Sequence, residues 1–397
     1  MFKGGSSPFR SLSRFAFVAV LGSVLTGWAA TFPLPAPTRP TSFPLIRPIL
    51  SGSVLAWGGN SFGQTTLPPQ LGSDVVAVAG GGYIDRAHSV ALRSDGTVVA
   101  WGSNESGQSF VPDGLNGVVA ISAGLAHTLA LKDNGTVIAW GLNGYGQASV
   151  PVALGDAVAI ACGHEHSLAL RKDGTVAAWG RAWDFGQTKV PANLTNVVAI
   201  AAGEQHSVAL KADGTVVAWG GNTFQQTNVP QAARSDVVGV TAGRFHTLAL
   251  KRDGNVVSWG ALKDVPAYAT NAVQIATGAA HRLVLKGNRT IVAWGSNSQG
   301  QTNILDGTVG VVAIAAGFEH SLAIAGPLHA VPFAVIGVSR VTVAFGAIVG
   351  RQYQFQNSRD LLHWAPSGSD FIAESESVAR EFVVAEVGSY FRVVEVP

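Results

Sequence analysis

From about residue 75 to residue 325 the chain repeats one pattern of apolar and polar positions. One unit reads Val118-Val119-Ala120-Ile121-Ser122-Ala123-Gly124, then Leu125-Ala126, then His127-Thr128-Leu129-Ala130-Leu131-Lys132. It continues Asp133-Asn134-Gly135-Thr136-Val137-Ile138-Ala139-Trp140-Gly141. Each unit holds three short runs rich in Val, Ala, Ile and Leu. None follows a 3.6-residue period, so the pattern predicts strands and disfavours helices. The second and third runs are joined by Asp95-Gly96, Asn134-Gly135, Asp173-Gly174, Asp213-Gly214 or Asp253-Gly254. A glycine there supplies the positive φ that a tight hairpin needs. Each unit is therefore expected to be an antiparallel three-stranded sheet.

The units recur around His88, His127, His166, His206, His246, His281 and His320, at spacings of 39, 39, 40, 40, 35 and 39 residues. Trp-Gly pairs recur at Trp57, Trp101, Trp140, Trp179, Trp219, Trp259 and Trp294. Short strands repeated at a period near 40 point to a β-propeller. The two series are out of phase. Trp57 has no His segment before it, and His320 has no Trp strand after it. Ser53–Gly58 is therefore predicted to complete the sheet begun by Val311–Ile324. That closes residues 49–326 into seven mostly three-stranded blades and removes the strand edges an open array would expose. The expected fold class is all-β, a seven-bladed β-propeller plus a small C-terminal β-sandwich.

The flanks read differently. Lys3, Arg10 and Arg14 precede an apolar run from Phe15 to about Ala30, with small residues at Gly27 and Ala29. This is the basic–apolar–small order of a secretory leader, and it is short for a spanning helix. Residues 1–30 are expected to be a cleaved leader, leaving no membrane span and a secreted, periplasmic or cell-surface protein. Residues 31–48 carry six prolines and should form an extended tether. After Gly326-Pro327 the repeat stops. Runs at Ala334–Val338, Val341–Phe345, Gln352–Gln356, Ala379–Val384 and Tyr390–Val394 predict a β module over 327–397.

The repeat text, Ala-Gly-x-x-His-Ser/Thr-Leu/Val-Ala-Leu-Lys-x-Asp-Gly-Thr-Val-x-Ala-Trp-Gly-x-Asn-x-x-Gly-Gln, resembles that of the regulator of chromosome condensation family from about Gly52 to Ala325. The short unit and the tail Gly146-Gln147-Ala148-Ser149-Val150-Pro151 are closer to its secreted bacterial branch. That branch includes a β-lactamase-inhibitory propeller. The resemblance implies a propeller but not a partner, because the shared residues are scaffold. Three units depart from the text. Gly80–Ala87 carries a five-residue insertion. The Trp259 unit runs from Gly260 almost straight to Val265-Pro266. Gly287-Asn288-Arg289 replaces the usual turn. The C-terminal stretch 353–364, with Tyr390-Phe391-Arg392-Val393, resembles immunoglobulin-like modules of exported bacterial proteins.

Composition narrows the chemistry. Only 13% of residues are charged and 47% are hydrophobic, which excludes a disordered chain. The single Cys162 excludes an intrachain disulfide framework and a cysteine-cluster zinc site, and it suits an oxidising destination. The net charge of +2 is spread without a basic block, which argues against nucleic acid. No nucleophile motif, phosphate loop or His-Glu-x-x-His is present, so no catalytic residue, cofactor or metal is expected. The seven histidines, one per blade, would sit on a ring too wide for one ion to bridge. They are read as structural, bonding backbone groups of the sheet. His164 is read as an exposed loop neighbour of His166, the tryptophans as core between blades, and Cys162 as a small buried thiol.

Blade topology places two variable segments on one face: the two residues between Gly and His, and the segment after Trp-Gly. The Asp-Gly turns lie opposite. The variable segments carry Tyr83, Phe245 and Phe318, and Phe62, Tyr145, Trp183, Phe185 and Phe224. Asp85, Arg86, Glu165, Arg181, Asp184, Glu204, Arg244 and Glu319 mingle with them. Exposed aromatics on rigid loops are the material of protein interfaces. The expected function is an exported, non-catalytic and monomeric scaffold that holds a protein partner on this face. Inhibition of a secreted or periplasmic enzyme such as a β-lactamase is the alternative. Polysaccharide-active and guanine-nucleotide-exchange propellers are further rivals.

Overall fold

The computed structural model describes residues 51–182 and 185–326, and beyond them 333–334, 340–346, 349–358, 365–366, 371–372, 374, 377–383 and 390–395. The expected leader, tether, Trp183, Asp184 and the join at residues 327–332 lie outside the described residues.

Residues 53–325 form seven three-stranded antiparallel sheets. Blade 2, for example, consists of Val118–Ala123, His127–Lys132 and Val137–Gly141. Blades 1 and 3–6 repeat this order at 75–102, 157–180, 197–220, 237–260 and 272–295. Blade 7 combines Val311–Ala316 and His320–Ala325 with the early strand Ser53–Gly58, which pairs Ser53 with Ala325 and Gly58 with His320. The phase offset in the sequence is thus resolved by a clasp.

The middle strand of each blade is hemmed in by two strand partners and by both neighbouring blades. This is why His127–Lys132 can be apolar on both faces and buried over its first five residues. The first strand of every blade carries a register shift after its first pair, as between Val118 and Ala120. Such bulges increase the local twist, and a propeller blade is strongly twisted. Between the second and third strands the chain turns at a left-handed glycine, with φ near +85° at Gly135. In blade 6 Arg289 adopts the same region at φ 65°.

The core lies between blades rather than within them. Trp179 of blade 3 packs with Leu129 and Leu131 of blade 2 and Ile160 of its own blade. Trp101 packs with Leu322, Ile324 and Val54 across the ring closure. On the turn face each joint is stitched by a backbone bond, as from Val118 N–H to the Gly96 carbonyl at 3.1 Å. The C-terminal strands form two antiparallel sheets. Arg340–Gly346 pairs with Ser377–Val383. Gln352–Ser358 pairs centrally with Tyr390–Glu395 in the other. The expected strand over Ala334–Val338 is described only at Phe333–Ala334. No helix among the described residues is long and apolar enough to cross a membrane.

Candidate functional site

Interior histidines build the frame of the site. His127 Nε2 lies 3.0 Å from the Ser167 hydroxyl of the next blade. That hydroxyl donates to the Gln147 carbonyl at 2.8 Å, and Trp179 Nε1 donates to the same oxygen at 2.9 Å. The relay recurs from His88 to Thr128, His166 to Ser207, His206 to Thr247, His281 to Ser321 and His320 to Ser89, at 2.9–3.1 Å. Each hydroxyl spends its only hydrogen on the carbonyl, so the histidine donates from Nε2. The expected backbone partner is corrected here. The imidazole reaches across the joint, and its Nε2 meets a hydroxyl of the next blade. Burial pushes His127 and His166 down to about 3 and His88 and His206 to about 4, so the ring is neutral. Among the described residues no three His, Cys, Asp or Glu side chains are grouped to hold a metal ion.

The glutamine at the hub also shapes the loop outside. Gln147 Oε1 accepts the Tyr145 N–H at 2.9 Å, Gln226 that of Phe224 at 2.8 Å, and Gln64 that of Phe62 at 2.9 Å. The preceding asparagine braces the other end: Asn143 Oδ1 accepts the Ala148 N–H at 2.9 Å. Phe62, Tyr145 and Phe224 therefore stand on loops tied to the interior relay.

At the axis the first-to-second-strand glycines meet. A Cβ on Gly124 would lie 2.5 Å from the Gly163 carbonyl oxygen, and one on Gly163 2.7 Å from that of Gly203. No side chain fits there. The collar floors a depression of about 100 Å³, which Cys162, His164, Glu204, Arg244 and Phe318 also line.

Tyr83, at the start of the blade 1 insertion, leans over this mouth. Its ring meets His164 and Phe318, each at 4.8 Å. Arg244 donates from Nη2 to the Tyr83 hydroxyl at 3.1 Å and from Nε to Glu204 at 2.6 Å. The Arg244 guanidinium lies 4.8 Å from the Phe245 ring centre, and Phe245 lies 4.7 Å from Phe224. Burial raises the Glu204 carboxyl above its ordinary range, against the pull of Arg244. His164 is not the exposed loop residue expected. It is half-buried against Tyr83, and burial, Arg244 and Arg181 hold it down to about 3. Cys162 is half-buried as a residue, but its thiol is enclosed, and burial pushes it up to about 12.

A second group joins Arg181 to Glu165 at 2.5 Å and stacks its guanidinium on Tyr145 at 4.7 Å. Phe62 and Phe185 make no ring contact among the described residues. Phe185, Tyr145 and Phe224 are about 40% exposed. Variable segments of both kinds thus meet on one face, as Phe224–Phe245 and Arg181–Glu165 show. Sequence reasoning overlooked the relay hydroxyls, although Ser or Thr directly follows the histidine in six units. It also overlooked the exposed Ile84 beside Tyr83.

A family model described as the regulator of chromosome condensation (RCC1) repeat matches residues 75–108, 118–147, 157–187, 197–226, 237–261 and 272–301. The chain belongs to the RCC1 repeat family. Its propeller is similar to that of Saccharomyces cerevisiae Prp20p, at 21% identity and a TM-score of 0.58, covering 70% of this chain and 92% of that one. Prp20p is described with binding to Gsp1p and histones. Human WBSCR16 is similar at 20% identity and a TM-score of 0.56, covering 69% of this chain and 98% of that one. At these identities the likeness is one of fold. No curated protein sequence matches the chain. The six matched RCC1 repeats are blades 1–6, and the seventh blade is the one the clasp completes.

Proposed function

We propose that this chain is a non-catalytic scaffold that binds a protein partner on the face carrying Tyr83, Tyr145, Phe224, Phe245 and Phe318. One observation carries the reading: Tyr83, Phe224, Arg244, Phe245 and Phe318, from four blades, meet in one run of contacts at the mouth, with the Phe224 loop braced from the interior. Large rings and guanidinium groups on rigid supports bind at low entropic cost, and they dominate interface energetics. That Prp20p is described with protein partners is in keeping. The basic–apolar–small N-terminus supports export, so the partner would be met outside the cytoplasm. A secreted or periplasmic enzyme held and inhibited by this face is the narrower form of the reading.

The test is capture from the exoproteome of the source organism with full-length protein, followed by titration of the retained partner. Phe245→Ala should weaken binding at least tenfold, the loss of a central anchor worth about 2 kcal/mol. Lys211→Ala, on the turn face, should leave it unchanged. Retention of a polysaccharide in place of any protein would refute the reading. So would loss of binding in the Lys211 variant alone.

A further inference from the structure

Six of the seven blade joints carry the complete relay, and the joint between blades 5 and 6 does not. Where the sister blades place Ser or Thr after the scaffold histidine, blade 6 has Arg282. The loop at 260–266 is shortened, and the Asp264 carbonyl takes the place of the glutamine carbonyl, accepting Trp294 Nε1 at 3.0 Å. The acceptor for His246 has therefore gone, and its Nε2 finds no partner.

The replacement inverts the local chemistry. A hydroxyl both accepts and donates, whereas a guanidinium only donates. Arg282 is 3% exposed, and its Nε and Nη2 also find no acceptor. It lies 6.0 Å from the Trp294 ring centre, and no carboxylate among the described residues forms an ion pair with it. Asp264 acts on it only through space. Burial lowers Arg282 to about 10, so it keeps its charge at neutral pH. Burial, and next the Arg282 charge, hold His246 well below its ordinary value. A buried positive charge, its two unmet N–H donors and an imidazole nitrogen without a partner thus share one joint in which the relay acceptor is missing. Buried polar groups without partners are rare in folded proteins, and buried charges are normally paired.

We propose that the joint between blades 5 and 6 binds one small monovalent anion of the chloride class, held by Arg282 Nε and Nη2 and His246 Nε2. An anion supplies acceptor and counter-charge together, while a water would add two more hydrogens and no charge. The burial of both side chains suits a monatomic ion over a carboxylate or phosphate.

The test uses full-length protein at constant ionic strength, with chloride replacing gluconate. The thermal midpoint should rise by about 2 °C or more, as expected for a ligand bound only by the folded state. Crystals grown in bromide should show an anomalous peak within about 3.5 Å of the three nitrogens. Arg282→Ser restores the residue of the sister blades and should abolish both the shift and the peak. A native map with water or the Asp264 carboxylate in that position would overturn the proposal. A chloride response that persists in the Arg282→Ser protein would overturn it too.

Discussion

The interior relay and the loop face are built from the same repeat, yet they treat it in opposite ways. Inside, blade after blade presents histidine, hydroxyl, glutamine carbonyl and tryptophan at nearly the same distances. Outside, the residues whose backbone N–H the glutamines grip run Phe62, Ser106, Tyr145, Phe224 and Gln299. The difference teaches how a propeller can vary its surface at little cost to its fold. The glutamine grips the loop by a backbone N–H, which every residue but proline offers, so the loop tip is held whatever its side chain.

The largest effect that would break this division is acid. The relay histidines are held neutral well below the ordinary value of 6.5, chiefly by burial. Above pH 6.5 they are neutral in both folded and unfolded chains. As the pH falls below 6.5 the unfolded chain takes up protons that the folded one refuses. Stability is therefore lost toward acid, at up to about 1.4 kcal/mol per pH unit for each histidine. Unfolding followed by circular dichroism at 25 °C should show a steep collapse between pH 6 and pH 4. A fold unchanged at pH 4 would mean the histidines accept charge in place.

Next in size is the clasp. Deleting residues 51–58 removes Trp57 and Val54 from the core and reopens a strand edge. A loss of about 5 kcal/mol or more is expected, since truncating a buried Trp to Ala alone costs about 3–5 kcal/mol. A calorimetric midpoint equal to that of the intact protein would show that the ring closes without it.

Smaller again is a single relay. Ser167→Ala strands the buried Nε2–H of His127, and a loss of about 1–3 kcal/mol is expected in urea titrations. The same measurement on Tyr83→Phe sharpens the comparison from the other side. That change removes one hydroxyl from Arg244, which keeps Glu204, and should cost about 1 kcal/mol or less.

The ring was legible because its phase offset is written in the order of Trp57 and His320. The hairpins were legible because Asp-Gly demands one backbone geometry. The relay was harder to read, since its partners lie in successive units. His127 and Ser167 are 40 residues apart and belong to different blades. A search within one unit offers the imidazole only its own sheet. The insertion at Gly80–Ala87 was visible as length, but the reach of Tyr83 to Arg244 depends on the diameter of the mouth. That diameter is set by glycines packed too closely for any side chain. The site's chemistry was thus spelled out in the residues, while their convergence was a property of the closed ring.

The clasp also imposes an order of events. Ser53 must wait for Ala325, the residue it pairs with, before blade 7 has all three strands. Contacts that span so much of a chain are slow to form, because the intervening segment must first be brought to close on itself. A chain emerging N-terminus first would stack blades 1 to 6 in sequence while its first strand stayed unmatched. The final pairing would then join the two ends in one late step. Mixing experiments with a destabilised clasp should therefore show a slow refolding phase lengthening while the early phases stay unchanged.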